Sequence, residues 1–158
     1  MKKNITRKSG FTLVEIMIVS AIIGLLAAIA IPNLLRARIN ANEGAIKADL
    51  KTFAAACEGF LAAQNPPTYP ADIATLVTPA SGPGYIDASW NAPTKHGFNL
   101  TYSAAANTYS LLAAPAAANE TAINTYCLDQ RGIIVGSLNG AGAPTAAATG
   151  CTGGIPIT

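Results

Sequence analysis

The sequence predicts an α+β protein, one long N-terminal helix carrying a small antiparallel sheet of about four strands. Three observations predict it. From Phe11 to about Gln64 the only strong helix stop is Pro32. Between Ile39 and Phe60 apolar residues recur at helical spacing. Beyond Asn65-Pro66-Pro67 the pattern changes to short alternating runs bounded by Gly, Pro and Asn, which is how hairpins read.

The first ten residues stand apart. Lys2, Lys3, Arg7 and Lys8 are four of the ten basic side chains, and removing residues 1–10 leaves six basic against eight acidic. The formal net charge of +2 therefore belongs to this leader, and nothing in it points to a nucleic-acid partner. Charged residues are only 11% of the 158, against roughly 25% in soluble domains. The length fits one helix plus one small domain.

From Phe11 to Leu35 the run is apolar with a single charge, Glu15. A carboxylate inside a membrane-length helix costs several kcal/mol, roughly 2.5–3.5 near the centre, and marks a function whose partner must be sought. A secretory signal peptide explains the basic start and Ala28-Ile29-Ala30. It does not explain Glu15, nor an apolar run that is too long and continues past that site. A plain membrane anchor fits, because about twenty apolar residues span the hydrocarbon and the basic leader stays cytoplasmic. It leaves Glu15 and the Gly10-Phe11 junction without a reason.

A third reading covers both. Gly10-Phe11-Thr12-Leu13-Val14-Glu15, continued without a gap to Ile31-Pro32-Asn33, closely resembles the processing site and helix of type IV prepilins and type II secretion pseudopilins. The likeness is strong over residues 8 to about 40 and architectural beyond. It implies that a prepilin peptidase cuts after Gly10 and N-methylates Phe11, so that residues 1–10 are a removed leader. Glycine before the cut lets the backbone lie close in a protease groove. The resemblance also implies that Glu15 meets the N-terminal amine of Phe11 in a neighbouring subunit, a pair that attracts strongly in low dielectric. Gly24 and Pro32 bracket a weak helix segment, which in this family can unwind as a filament stretches. A mere membrane-helix kink is the plainer account of the same two residues.

The helix over 11–64, a rod of about 80 Å, has residues 11–35 as its membrane or filament-core part. Arg36 and Arg38 mark the far membrane edge. Then Ile39, Ile46, Leu50, Phe53, Cys57 and Phe60 make one apolar stripe, with Glu43, Lys47, Lys51 and Glu58 off it. Glu43 and Lys47 at i,i+4 are in the favourable order for an ion pair. The stripe calls for a domain packed on this face, and a two-stranded coiled coil is too short and Ala-rich to replace it.

That domain, residues 65–158, begins with Pro- and Gly-rich chain. Residues 68–77 suit a short helix with Tyr69, Ile73, Leu76 and Val77 inward, Tyr85-Ile86 docks on the core, and Trp90 belongs at a loop–core junction. Phe98, Leu100 and Tyr102, then Tyr109 and Leu111, alternate with polar residues across a loop at 104–107 and form one hairpin. Residues 123–128 and 132–136 form a second, with Gly132 suited to positive φ.

From Ser137 the tail is Gly, Ala, Thr and Pro and needs a tie. Three cysteines allow three pairings. Cys57 reads as a buried thiol, while Cys127 and Cys151, beyond the membrane in an oxidising compartment, are the favoured disulfide. The resemblance agrees, since such pilins often carry a C-terminal disulfide-bounded loop.

Catalytic spacing is absent from the sequence, and no cofactor or metal is expected. His96 reads as a solvated loop histidine. Some pseudopilins bind calcium in a C-terminal loop, and Asp129 with the carbonyl-rich tail leaves that open here. The resemblance therefore implies a non-enzymatic filament subunit whose partners are copies of itself, the peptidase, an inner-membrane assembly platform and, before assembly, membrane lipid. The implied locations are the inner membrane first and the cell surface afterwards. A type II secretion pseudopilin is the near alternative, and an unpolymerised membrane-tethered binding domain the distant one.

Overall fold

The computed structural model describes residues 10–137 and 142–157. The basic leader side chains fall outside them, as do tail residues 138–141 and Thr158. A single α-helix, α1, runs Leu13–Ala63, with Gly24 and Pro32 both inside it. The chain divides into two units, Met1–Ala37 and Arg38–Thr158. In the first, the apolar side chains of α1 are exposed. The second is a head with its own core.

In the head, every residue of the expected stripe is buried, and Ala56 joins them. The face they form packs on a sheet. Strands β1 (Thr94–Lys95), β2 (Phe98–Ala105), β3 (Thr108–Pro115), β4 (Tyr126–Asp129) and β5 (Ile134–Gly136) are antiparallel neighbours in that order, and β8 (Ile155–Ile157) closes the sheet beside β5. The register sets Tyr102 opposite Leu111, Leu111 opposite Leu128, and Leu128 opposite Ile134. These side chains therefore share one face, since side chains alternate along a strand. They meet Ile46, Leu50, Phe53 and Cys57 of α1 in a common core.

Phe53 is the hub of an aromatic cluster. Its ring lies 5.0 Å from Trp90, 5.7 Å from Tyr102 and 6.3 Å from Tyr109, centroid to centroid. Trp90 is buried in a 3-10 turn, Ala88–Asn91, started by Asp87, whose carboxylate accepts from Ser89 N. Helix α2 (Ile73–Val77) is capped in the same way by Asp72, which accepts from Thr75 N, and it buries Leu76. Tyr69, Ile73, Val77, Tyr85 and Ile86 pack around this core half-buried.

The opposite face of the sheet is covered too. A two-stranded ribbon, β6 (Thr145–Ala147) and β7 (Gly150–Thr152), lies over β3 and β4. Ser110 Oγ donates to Ala147 O at 2.7 Å, and Thr108 Oγ1 donates to Ala148 O at 2.6 Å. Cys127 and Cys151 are joined by a disulfide with Cα atoms 6.0 Å apart. Cys57 is a free, buried thiol.

Three expectations need correcting. The four strands of the two hairpins are present, but they are extended by β1 and β8, and β6–β7 forms a second sheet. These additions are two or three residues long; β1, β6 and β7 carry no large apolar side chain in alternation, and Ile155-Pro156-Ile157 of β8 is interrupted by proline. The loop at 104–107 shrinks to Ala106-Asn107, because Ala105 pairs with Thr108. The second hairpin starts later, at Tyr126, because the N–H groups of Ile123 and Asn124 are taken by Glu43.

Glu43 is the reason the i,i+4 pair with Lys47 does not form. Its carboxylate accepts from Ile123 N and Asn124 N at 3.1 Å, from Asn124 Nδ2, and from the Tyr126 hydroxyl at 2.8 Å. Lys47 Nζ instead stands 5.1 Å above the Tyr126 ring, a cation–π contact. One residue before Glu43, Asn42 Nδ2 donates to Thr121 O at 2.8 Å. The long connection between β3 and β4 is thus tied to the first turns of the head's helix.

Candidate functional site

The start of α1 is built from four residues. Thr12 is the last residue before the helix, and Glu15 is three residues on. Glu15 N donates to Thr12 Oγ1 at 3.2 Å, and Thr12 N donates back to Glu15 Oε2 at 2.8 Å. The Thr12 hydroxyl also donates to Glu15 Oε2 at 2.8 Å. This is a capping box: each partner satisfies a backbone donor that the first helical turn leaves free. A carboxylate there also faces the positive end of the helix dipole. The sequence pattern Thr-x-x-Glu before an apolar run carries this signal. It was overshadowed by the question of why a charge lies in the run at all.

Phe11 is 86% exposed, and Gly10 is exposed. A Cβ built on Gly10 meets nothing within 4 Å. The fold of this chain therefore sets no steric demand for glycine at position 10. Glu15 and Phe11 of one chain are not brought together, since the carboxylate is spent on Thr12. Gly24 and Pro32 sit in continuous helix. Ser20, the one hydroxyl between Glu15 and Pro32, donates to Ile16 O at 2.8 Å, so the apolar stretch offers no free polar side chain.

In the head, His96 is not simply solvated. Its Nε2 lies 3.1 Å from Asp49 Oδ2 on α1, and Lys95 Nζ lies 3.4 Å from the same oxygen. Lys95 also donates to Ser89 Oγ at 2.7 Å and stands 4.7 Å over the Trp90 ring. The turn His96-Gly97 has positive φ at both residues, as a two-residue hairpin turn requires. A Cβ on Gly97 would come within 2.8 Å of Thr121. Asp129 is 1% exposed and accepts from Arg131 N at 3.0 Å and Arg131 Nε at 3.0–3.2 Å. Cys151 N also reaches it at 3.4 Å. Its oxygens are thereby taken up by donors of the chain, an unsuitable state for a calcium ligand. Among the described residues no three of His, Cys, Asp and Glu gather as a metal site.

The described chemistry is therefore that of a capped, exposed helix start. The helix behind it is long and apolar enough to cross a membrane. Residues 5–31 match the model of the prokaryotic N-terminal methylation motif. The chain therefore carries a prokaryotic N-terminal methylation motif at the start of its apolar helix.

The same segment is similar to parts of several known proteins. It is 44% identical over 59 residues to the type IV major pilin protein PilA of Myxococcus xanthus, covering 37% of this chain and 27% of that protein. It is 58% identical over 41 residues to the type IV wide pilus major component PilA4 of Thermus thermophilus, covering 26% and 31%. It is 41% identical over 54 residues to the type II secretion system core protein G of Pseudomonas aeruginosa, covering 34% and 38%. The likeness thus spans less than two-fifths of the length of each relative. No solved structure matches.

Proposed function

We propose that this chain is the precursor of a structural subunit of a type IV pilus. Residues 1–10 are a leader kept in the cytoplasm. Residues 11–35 anchor the precursor in the inner membrane, the rest of the helix to residue 64 carries the head, and residues 65–158 complete the head. A prepilin peptidase cleaves after Gly10 and methylates the amine of Phe11. Subunits then leave the membrane through an assembly platform and polymerise with copies of themselves into a surface filament.

The observation that carries this reading is the coincidence of the methylation motif over residues 5–31 with a capped, exposed apolar helix. The charge arithmetic supports it as well. Glu15 costs free energy in lipid unless it is satisfied, and a neighbour's Phe11 amine satisfies it better than the neutral donors of Thr12 do. Moving the apolar helix from lipid into a bundle of like helices exchanges one apolar environment for another. Gly24 and Pro32, both poor helix residues, are where such a bundle would yield under tension.

A second reading has an observation of its own, the 41% identity to the type II secretion core protein G. Under it the chain forms a short periplasmic fibre. Electron microscopy of sheared surface material, with N-terminal sequencing, separates the two. Long surface fibres beginning at a methylated Phe11 support the pilus subunit. Mature chain confined to the periplasm supports the secretion fibre. Purified protein that retains Met1–Gly10 overturns both and leaves a tethered domain.

A further inference from the structure

The two ends of the apolar run set up a register. The uncharged stretch Ile16–Leu35 lies between Glu15 and Arg36. Its twenty residues at about 1.5 Å each give about 30 Å, which equals the hydrocarbon thickness of about 30 Å. With this stretch in the hydrocarbon, both charges fall at the membrane interfaces. Glu15 brings its own capping donors to one interface.

Arg36 and Arg38 bring cations to the other. Both are exposed, and they stand two residues apart in the sequence. Of the other four basic residues of the described chain, all but the exposed Lys51 of the head have partners. Lys95 and Arg131 reach carboxylates, and Lys47 rests on the Tyr126 ring. Arg36 and Arg38 make no ion pair among the described residues. A guanidinium presents a planar fork that matches phosphate oxygens two at a time. At the height of the headgroups, phosphate is the anion at hand, and the charges are complementary.

We propose that Arg36 and Arg38 bind the phosphodiester groups of phospholipids in the leaflet facing the head. Acting against the capped Glu15 at the opposite interface, they fix the depth of the precursor helix. This rests on the membrane-anchored precursor proposed above. The consequence is local to processing: with Ile16 at the hydrocarbon edge, the Gly10–Phe11 bond stands about five residues outside it, on the leader side, within reach of a membrane peptidase.

Carbon–phosphorus dipolar recoupling tests this on the full chain, with 13C at arginine Cζ, reconstituted in phospholipid bilayers in phosphate-free buffer. Lipid phosphorus should dephase the arginine signal, and R36K/R38K should lose at least half of the dephased intensity, with Arg7 retained as reference. A smaller loss overturns the proposal. Proton transfer from lipid acyl chains to α1 is read in the same samples. Its absence would overturn the membrane-anchored precursor itself, while its presence without arginine dephasing overturns only the lipid-phosphate contact.

Discussion

The carboxylate of Glu43 on α1 accepts a 2.8 Å hydrogen bond from the hydroxyl of Tyr126 on β4, across 83 residues of chain. The same carboxylate holds the backbone N–H groups of Ile123 and Asn124. One side chain thus fastens the β3–β4 connection to the helix. Glu43→Ala strands these donors, and because the site is half-exposed, water replaces part of what is lost. The expected cost is about 1–3 kcal/mol, read as a lower urea midpoint with unchanged slope. An unchanged midpoint would mean the clamp contributes nothing to stability.

Acid should loosen the same clamp. Burial raises the Glu43 pKa, but hydrogen bonds from Asn124, Tyr126 and Ile123 outweigh it and hold the carboxyl below its ordinary 4.5. At Asp129 burial is likewise outweighed, by the Arg131 side chain and backbone and by Cys151 N–H, and the pKa lies below 3.8. Both folded values are depressed, so both contributions are complete above the unfolded values and are lost as pH falls through the folded ones. Stability should be flat from neutrality to about pH 5, then fall, with Glu43→Gln removing part of the slope. Denaturant melts at a series of pH values measure this, and a slope beginning at pH 6 or above would contradict it.

What was legible in the sequence follows from side-chain size and spacing. Ile39 to Phe60 announced the buried face of α1 because large apolar residues at helical intervals have few other uses. Phe98 to Tyr102 announced β2 for the same reason at period two. Glu43 was misassigned to Lys47 because its real partners lie some eighty residues away, and local pairing rules see only one turn. Strands β6 and β7 are invisible because Thr145-Ala146-Ala147 and Gly150-Cys151-Thr152 carry almost no apolar signal; hydroxyl bonds from Thr108 and Ser110 and one disulfide hold them. Strand β8, Ile155-Pro156-Ile157, is too short and too centred on proline to read as a strand, and it is held by pairing with β5. At the helix start the lone charge of Glu15 is legible in the sequence, while its engagement by Thr12 depends on side-chain and backbone geometry that the residue types alone do not fix.

The disulfide should matter most to the ribbon it anchors. Cys127→Ser/Cys151→Ser opens a loop with a sequence separation of 24 and should cost about 3 kcal/mol by the chain-entropy argument. Hydrogen exchange should quicken in β6 and β7 well before β2 and β3, which keep their packing on α1. Uniform acceleration across the head would show instead that the ribbon is cooperative with the whole sheet.

Cys57 should be chemically silent while the head is folded. Burial chiefly, aided by the nearby Glu58 charge and only partly offset by the Tyr109 hydroxyl, pushes its pKa up to about 12. The thiolate that reacts with alkylating agents is therefore scarce as well as inaccessible. Iodoacetamide at pH 8 should modify it only at the rate of unfolding, and in denaturant at the rate of an ordinary thiol. Rapid labelling under native conditions would place Cys57 outside the core.

The last prediction separates the two roles of Glu15. Thr12→Val keeps the shape of the side chain but removes the hydroxyl that caps the helix, at a cost of about 1 kcal/mol to the first turn, and leaves the carboxylate in place. Glu15→Leu removes the carboxylate and its half of the capping box together. If Glu15 serves assembly by meeting the Phe11 amine of a neighbour, Thr12→Val should insert, be processed and yield filaments near the wild-type level. Glu15→Leu should insert and be processed, yet assemble poorly. Thr12 would then act as a holding partner, keeping the carboxylate satisfied until an amine displaces its neutral donors, an exchange favoured because the ammonium adds charge–charge attraction in a low-dielectric environment. Immunoblots of sheared filaments against whole-cell mature protein give the ratio directly. Equal defects in the two variants would show that the capped helix start, and not the charge pair, is what assembly requires.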